Sequence, residues 1–286
     1  MLAKPALATF AVVAAVVVGS ATLTYAAPTG ADSAAAAVPA DVRQAGTLVV
    51  AAEFGYPPFE DYDDQKKPVG VDVDLATAIA ERLQLRLDFR DVPWDDLIPN
   101  VTGRKADAIM SAMTDNAERQ KQLTYVDYLV EGSQVVVAGG NPRNISGIDG
   151  ICGRRVALQA DTTQDDLAQA QAALCAAAGR KKPTILRLGS DETYPMLKAG
   201  KIDAVVDGYT SAASQIKDGG GAFALAGVQV EASPMGIGIS RDRTDLRHAV
   251  QLALREIIAD GTYVKILDKW GLKAEALTTA AIDGGV

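Results

Sequence analysis

Short runs rich in β-branched residues alternate with longer amphipathic segments from about residue 47 onward. The run TLVVAA at Thr47–Ala52 is typical of a buried strand, whereas Leu75, Ile79 and Leu83 recur at the spacing of one helix face. The pattern predicts strands over 47–52, 85–90, 106–113, 134–138, 155–159, 184–188, 202–207 and 235–240, and helices over 74–83, 94–102, 165–178, 193–199, 246–257 and 263–270. Strands that alternate with helices indicate an α/β fold with mostly parallel sheets.

The alternation restarts after Pro142, and two short patterns recur in the second half. DLATAIA at 74–80 returns as DLAQAQA at 166–172, and GRKADA at 103–108 returns loosely as GKIDA at 200–204. In each case an amphipathic helix ends, a glycine turn follows and Asp-Ala opens a strand. Two matches in the same order predict two lobes built on one plan.

The first 26 residues have the pattern of an export signal. Lys4 supplies the positive start, an uncharged apolar run follows over 5–19, and Thr24 and Ala26 offer a small-residue cleavage site. The apolar run is shorter than the roughly 20 residues that span a bilayer, although an uncleaved anchor helix remains the alternative. Residues 27–42 are small and nearly uncharged, which predicts a flexible linker, and 273–286 are expected to form a frayed tail. We therefore expect an exported protein that is extracellular, periplasmic or associated with the cell surface.

Composition removes several classes of function. The 286 residues carry a formal net charge of −8, whereas nucleic-acid binding needs a basic face. A single histidine and two cysteines leave little for a zinc site, and the common catalytic motifs are absent from the sequence. We expect no metal, no cofactor, no nucleic-acid partner and no catalytic residues, and we expect a monomer.

The two cysteines, Cys152 and Cys175, allow one pairing. An oxidising compartment favours a disulfide between them, and two buried free thiols are the alternative.

Three loops at predicted strand ends carry the candidate chemistry, because open α/β sheets bind ligands there. The loop 53–59 (EFGYPPF) combines a carboxylate with three aromatic rings. The loop 111–114 precedes Arg119, whose planar guanidinium suits a bidentate contact with a carboxylate. Residues 161–163 (DTT) lead into a predicted helix whose free N–H groups favour an anion. The structural alternatives are a rigid packed loop, an exposed arginine and simple capping of the helix.

Six ordered motifs give these loops a context. They are 53–60 (EFGYPPFE), 70–76 (GVDVDLA), 94–100 (WDDLIPN), 107–119 (DAIMSAMTDNAER), 152–164 (CGRRVALQADTTQ) and 261–271 (GTYVKILDKWG). In these motifs the chain resembles the polar amino-acid group, family 3, of extracellular solute-binding proteins that serve ABC importers, over roughly 43–272. The resemblance implies a two-lobed periplasmic-binding-protein-like fold of type II, with a ligand cleft between the lobes and closure by a hinge. Lobe one would comprise 43–137 and 233–272, lobe two 138–232, and the chain would cross near 136–141 and 228–234.

The resemblance also implies roles for nine residues. Arg119 would grip the α-carboxylate of the ligand with help from Thr114, and Thr163 would contact the same group after closure. Asp207 would pair with the α-amino group, and Glu53 would contact a polar or cationic side chain. The remaining positions would supply flanking rings and contacts from the strand-end loop, and they are Tyr56, Trp94, Ser111 and Ala112.

Two positions depart from the family pattern. Asp161 stands where a glycine is usual, so it adds a negative charge beside the expected carboxylate site. The aspartate of lobe two is expected five residues after Asp203, but Gly208 holds that position and Asp207 lies one residue earlier. Whether Asp207 meets the amino group is therefore open at the level of sequence.

The resemblance implies a receptor that captures a polar amino acid and delivers it to the membrane subunits of an ABC importer. The acidic residues Glu53, Asp161 and Asp207 favour a ligand with a cationic or amide side chain. Two alternatives share this fold. One is a sensor whose closed form binds a signalling partner, and the other is an exported dehydratase of cyclic amino-acid precursors in which Glu53 would be the general acid.

Overall fold

A computed structural model describes residues 33–285, so the predicted signal segment 1–26 lies outside the described residues. The strands are β1 (Thr47–Ala52), β2 (Asp61–Tyr62), β3 (Pro68–Val69), β4 (Arg86–Asp91), β5 (Ala108–Ile109), β6 (Leu123–Ala138), β7 (Arg155–Leu158), β8 (Thr184–Arg187), β9 (Ala204–Gly208) and β10 (Phe223–Ser240). The helices are α1 (Ala34–Ala37), α2 (Ala40–Ala45), α3 (Val71–Leu83), α4 (Leu97–Thr102), α5 (Thr163–Ala177), α6 (Ser190–Lys198), α7 (Tyr209–Asp218), α8 (Thr244–Ala259) and α9 (Thr262–Trp270).

Two long antiparallel strands connect the lobes. The main sheet has the order β4-β1-β5-β10-β6-β9-β7-β8, with parallel pairing of β4, β1 and β5 at one end and of β9, β7 and β8 at the other. Strands β6 and β10 run through the middle and pair antiparallel to each other and to their neighbours. The α/β prediction of two lobes is confirmed, and the two mostly parallel sheets are joined through β6 and β10.

The chain passes from one lobe to the other within β6 and β10. The pairing of these strands is irregular between Ala226 and Val230 and between Val230 and Ser233. Residues 133–136 of β6 already pair with β9 of lobe two. The first crossing therefore lies near 131–133, a few residues before the expected 136–141, because valines of the long strand that follow the crossing belong to the second core.

Each lobe encloses its own core. In lobe one, α3, α8 and α9 cover the sheet with fully buried residues such as Leu75, Leu254 and Tyr263. In lobe two, Leu167 of α5 packs on one face of the sheet and Leu197 of α6 on the other. Burial of each large apolar side chain contributes about 1.5–3 kcal/mol, so each core stabilises the lobe that surrounds it.

Residues 33–42 differ from the linker that the sequence predicts. Helix α1 lies against α8, where the backbone N–H of Ala34 donates to Oε1 of Glu256 over 2.9 Å. Ala34 and Val38 are buried in the core of lobe one. Small side chains permit this close approach of α1 to α8. The same small side chains are the reason that the sequence predicts a flexible linker here.

The C-terminal segment is not the frayed tail that the sequence suggests. The N–H of Leu277 donates to the hydroxyl of Tyr263 over 2.9 Å, and Ile282 forms a bridge with Val126 of β6. The carboxylate of Asp283 accepts from the N–H of Tyr125 over 2.7 Å. Isolated contacts of this kind have no periodicity in the sequence, because Leu277, Ile282 and Asp283 each meet a different distant partner.

Cys152 and Cys175 form the expected disulfide, which ties the segment before β7 to helix α5. Among the helices of residues 33–285, none combines the length and the apolar character that a membrane span requires.

Candidate functional site

A cleft of about 380 Å³ lies between the two lobes, beside the crossing strands. All nine residues singled out from the sequence line it, and they are Glu53, Tyr56, Trp94, Ser111, Ala112, Thr114, Arg119, Thr163 and Asp207. The sequence analysis missed further acidic residues of the same wall, namely Glu60, Glu131 and Glu231. Arg119 is the one basic side chain among the residues that line the cleft, against five carboxyl groups.

The strand-end loop of lobe one is held by its own protein contacts. The hydroxyl of Ser111 donates to Oε1 of Glu60 over 2.7 Å and accepts from the N–H of Glu53 over 3.0 Å. The N–H of Ala112, whose φ is +47°, donates to Oδ2 of Asp72 over 2.9 Å. The side chain of Ser111 and the N–H of Ala112 are therefore already engaged, and both shape the wall of the cleft.

A pair of buried carboxyl groups, Glu60 and Asp72, lies behind this loop. Burial and the neighbouring Asp72 raise the pKa of Glu60 well above its ordinary value, and burial raises the pKa of Asp72 to about 6. Tyr128 donates to Oδ2 of Asp72 over 2.9 Å. Burial therefore favours the protonated form of Glu60, which lessens the repulsion between two adjacent buried carboxyl groups. Both acids lie in recognised motifs, but only the fold brings them into contact.

Arg119 is buried and directed at the cleft. Its Nη1 donates to the carbonyl of Thr114 over 2.9 Å, and its Nη2 donates to the carbonyl of Asp161 over 3.1 Å. The guanidinium also lies 5.3 Å from the ring centroid of Trp94. Burial lowers the pKa of Arg119, yet an arginine stays charged at neutral pH. The ion pairs within residues 33–285 do not include Arg119, so its charge is available to an anionic group.

The two threonines at the start of α5 have different partners. Thr162 caps the helix, since its Oγ1 accepts from the N–H of Asp165 over 3.2 Å. Thr163 lies in the cleft with its Oγ1 3.5 Å from Oγ1 of Thr114. The side chain of Asp161 is exposed, and its backbone carbonyl accepts from Arg119 and Trp94. The carbonyl rather than the carboxylate of Asp161 therefore faces the expected anion site.

Side chains from opposite lobes contact each other across the cleft. The indole N–H of Trp94 donates to the carbonyl of Asp161 over 3.3 Å. The side-chain amide of Gln159 in lobe two donates to Oε2 of Glu53 in lobe one. The other oxygen of Glu53, Oε1, accepts from the backbone N–H of Trp94 over 3.3 Å. Contacts from lobe one to lobe two on this scale describe a closed arrangement of the lobes.

Asp207 is held by two tyrosines. Tyr56 of lobe one donates to its Oδ1 over 2.8 Å, and Tyr194 of lobe two donates to its Oδ2 over 2.7 Å. Burial raises the pKa of Asp207, while the hydrogen bonds from Tyr194, Tyr56 and the N–H of Gly208 counteract part of that rise. Both oxygens thus have phenolic partners even though Asp207 lines the cleft.

Glu131 stands in the middle of β6, at the crossing between the lobes. Its Oε2 accepts from the N–H of Thr210 over 2.9 Å, and burial raises the pKa of its carboxyl to about 8. The sequence contains one sign of this position, because an acidic residue interrupts an apolar strand at YLVEGSQVVVA. Such an interruption is costly in a core and is expected where a strand borders a ligand site.

Comparison with known proteins places this geometry in a family. The model of the bacterial extracellular solute-binding proteins, family 3, matches residues 48–273, which is most of the chain. The chain belongs to that family. The resemblance drawn from the six motifs is therefore confirmed, and the members it resembles are binding proteins.

Individual relatives extend the comparison. The histidine-binding periplasmic protein of Escherichia coli (strain K12) is 28% identical over 247 residues, which cover 84% of this chain and 91% of that protein. The arginine-binding protein ArgT of Corynebacterium glutamicum is 29% identical over 250 residues, which cover 87% of this chain and 82% of that protein. Among solved structures, an ancestral arginine-binding protein bound to arginine superposes with a TM-score of 0.72 at 32% identity, covering 79% of this chain and 98% of that one. The match thus extends over both lobes.

Proposed function

We propose that this protein captures a polar amino acid between its lobes and delivers it to an ABC importer. The observation that carries the proposal is Arg119, a buried guanidinium outside any ion pair of the described residues, in a cleft that five carboxyl groups also line. A zwitterion matches that arrangement, because its carboxylate can meet Arg119 while its ammonium meets an acidic wall. On this proposal the protein binds and releases the amino acid unchanged.

The charge of the cleft supports a cationic amino acid. Five carboxyl groups share the wall with a single basic residue, and a cation in the cleft would favour their ionised forms. A ligand that brings a second positive charge would offset part of this excess, whereas an acidic side chain would add to it. The relatives described as histidine-binding and arginine-binding fit the same class.

Capture would proceed by hinge closure. Arg119 and Thr114 belong to lobe one and would hold the carboxylate first, and Thr163 of lobe two would reach it when the lobes close. Trp94 would form a wall of the cleft beside the guanidinium. Because the crossing strands β6 and β10 are irregularly paired between the lobes, the hinge movement would be absorbed there.

A thermal-shift screen against the twenty standard amino acids, followed by calorimetry, tests the proposal. At 100 times its dissociation constant an amino acid should stabilise the protein by about 2.7 kcal/mol, which raises Tm by several degrees. Arginine, lysine or histidine should give the largest shift. The absence of a shift with all twenty would contradict the proposal, and a response confined to aspartate and glutamate would contradict the cationic class.

Delivery to an importer needs a separate test. Deletion of the gene should abolish high-affinity uptake of the same amino acid that binds the purified protein, and a copy of the gene should restore it. Unchanged uptake in the deletion strain would favour a sensor instead. We also propose that the protein acts as a monomer, for which size-exclusion chromatography coupled to light scattering is the direct measurement.

A further inference from the structure

Glu131 occupies a position of the cleft that combines burial with open access to a ligand. It is 7% exposed, lies at the crossing of β6 between the lobes and lines the cleft. Its Oε2 accepts from the N–H of Thr210 in the first turn of α7. The carboxylate is therefore anchored through one oxygen, which leaves the other in the cleft wall.

Gly208 makes room for that second oxygen. A Cβ at residue 208 would lie 2.2 Å from Oε1 of Glu131 and 2.9 Å from the hydroxyl of Tyr56. The φ of Gly208 is −62°, which any residue can adopt, so space rather than backbone conformation requires the glycine here. The carboxylate of Glu131 thus occupies the space into which a side chain at 208 would project.

The carboxyl group of Glu131 has no basic partner within residues 33–285. None of the ion pairs there includes it, and the two groups whose charge raises its pKa, Asp207 and Glu275, are both acidic. A buried carboxylate without a cation is costly, and a cation delivered by a ligand would remove that cost. Asp207 is less available for this role, because Tyr56 and Tyr194 already donate to both of its oxygens.

We propose that Glu131 is the carboxylate that receives a cationic nitrogen of the bound amino acid, while Asp207 fastens the lobes together through Tyr56. This inference rests on the proposed amino-acid function. The nitrogen can come from the α-ammonium group, which all amino acids share, or from a cationic side chain. In the first case Glu131 anchors any amino acid, and in the second it selects for a cationic side chain.

The experiment compares wild type with Glu131→Gln by calorimetry against the twenty standard amino acids and 5-guanidinopentanoate, which is arginine without its α-ammonium group. Glu81→Gln is the matched control, because it removes one carboxylate from an exposed position on α3, outside the cleft. Glu131→Gln should weaken binding at least tenfold, whereas Glu81→Gln should change it by less than twofold.

The pattern across the panel distinguishes the two sources of the nitrogen. If Glu131 meets the α-ammonium, every amino acid that binds wild type should weaken, and the affinity for 5-guanidinopentanoate should not change. If it meets the side chain, only cationic ligands should weaken, and 5-guanidinopentanoate should weaken with them. Unchanged affinities in Glu131→Gln would overturn the inference and leave the proposed function intact. If wild type binds none of the twenty, both are overturned.

A second readout separates ligand contact from a structural role in the hinge. Burial holds the pKa of Glu131 near 8 in the ligand-free protein, with Asp207 and Glu275 raising it and Thr210 lowering it through its hydrogen bonds. A cation that docks on Glu131 at pH 7 should therefore expel a proton. Calorimetry in two buffers of different ionisation enthalpy should detect proton release with wild type and a loss of that release with Glu131→Gln. Equal release from both proteins would overturn the inference.

Discussion

The hydroxyl of Tyr56 in lobe one donates a hydrogen bond of 2.8 Å to Oδ1 of Asp207 in lobe two. Tyr194, from the same lobe as Asp207, donates to the other oxygen over 2.7 Å. One carboxylate therefore carries one bond that spans the cleft and one that does not. The pair of tyrosines provides a direct way to separate closure of the lobes from the local environment of Asp207.

Tyr56→Phe should open the ligand-free protein. A hydrogen bond to a charged acceptor contributes about 1.5–3 kcal/mol, so its loss should reduce the ratio of closed to open molecules at least tenfold. Energy transfer between dyes on exposed positions of the two lobes, or the radius of gyration in solution, measures this change. Tyr194→Phe is the control, because it removes a hydrogen bond from the same carboxylate without cutting a contact between lobes. Equal opening by both variants would mean that the Tyr56 bond does not hold the lobes together.

Substitution of Arg119 should remove the anchor for the carboxylate. Arg119→Ala should weaken amino-acid binding by at least a hundredfold, because a charge-assisted bidentate contact and its geometry disappear together. Arg119→Lys should recover only part of the affinity, since lysine keeps the charge but lacks the planar fork. Calorimetry with the amino acid that gives the largest thermal shift measures both variants. Affinity retained in Arg119→Ala would place the carboxylate elsewhere in the cleft.

The ligand-free stability of Glu131→Gln should depend on pH differently from that of wild type. The pKa of Glu131 is about 8 in the folded protein and about 4.3 in an unfolded chain. The stabilisation that the folded state gains by binding this proton is therefore fully present below about pH 4.3 and is lost as pH rises towards 8. Glutamine cannot titrate, so the Tm of Glu131→Gln should rise relative to wild type between pH 5 and pH 8. Thermal unfolding at pH 5, 6, 7 and 8 measures the difference. Parallel curves for the two proteins would show that Glu131 ionises normally.

Reduction of the disulfide should destabilise the protein. Cys152 and Cys175 are 23 residues apart, and closure of a loop of that length lowers the entropy of the unfolded chain by an amount worth about 3 kcal/mol. Unfolding by urea with and without a reductant should show this loss. The double variant Cys152→Ala/Cys175→Ala is the control, because the reductant should then have no effect. Equal midpoints for reduced and oxidised wild type would contradict the expectation.

The C-terminal segment should contribute measurably to the stability of lobe one. Asp283→Ala removes the acceptor of the Tyr125 N–H and of the Thr124 hydroxyl, which lies 3.0 Å from Oδ2 of Asp283. A buried donor without a partner costs about 1–3 kcal/mol. The exposed Asp268, whose contact with Lys273 is 3.8 Å long, supplies the control variant Asp268→Ala, which should cost less than about 0.5 kcal/mol. Similar losses of unfolding free energy for both variants would mean that the C-terminal segment does not stabilise lobe one.

The sequence alone determined the class of fold and the loops that form the cleft. Periodicity placed β1, α3 and α8 close to their observed bounds, because β1 is an apolar run buried on both faces and each helix buries an apolar stripe in the core of lobe one. Eight of the nine candidate residues come from four of the motifs and line one cleft, because each of those residues lies in a segment that follows the end of a strand. Local patterns suffice where one short segment both forms the element and carries the side chain.

Only the tertiary structure decided what depends on distant partners. The packing of residues 33–42 on α8 and of Asp283 on β6 has no periodic signature, because those contacts join positions far apart in the chain. The relation among Glu131, Gly208 and Asp207 is of the same kind. Glycine is required at 208 because β6, from elsewhere in the chain, places the carboxylate of Glu131 in the space that a side chain there would fill. Sequence spacing pointed to Asp207, and the fold brought Glu131 into the cleft beside it.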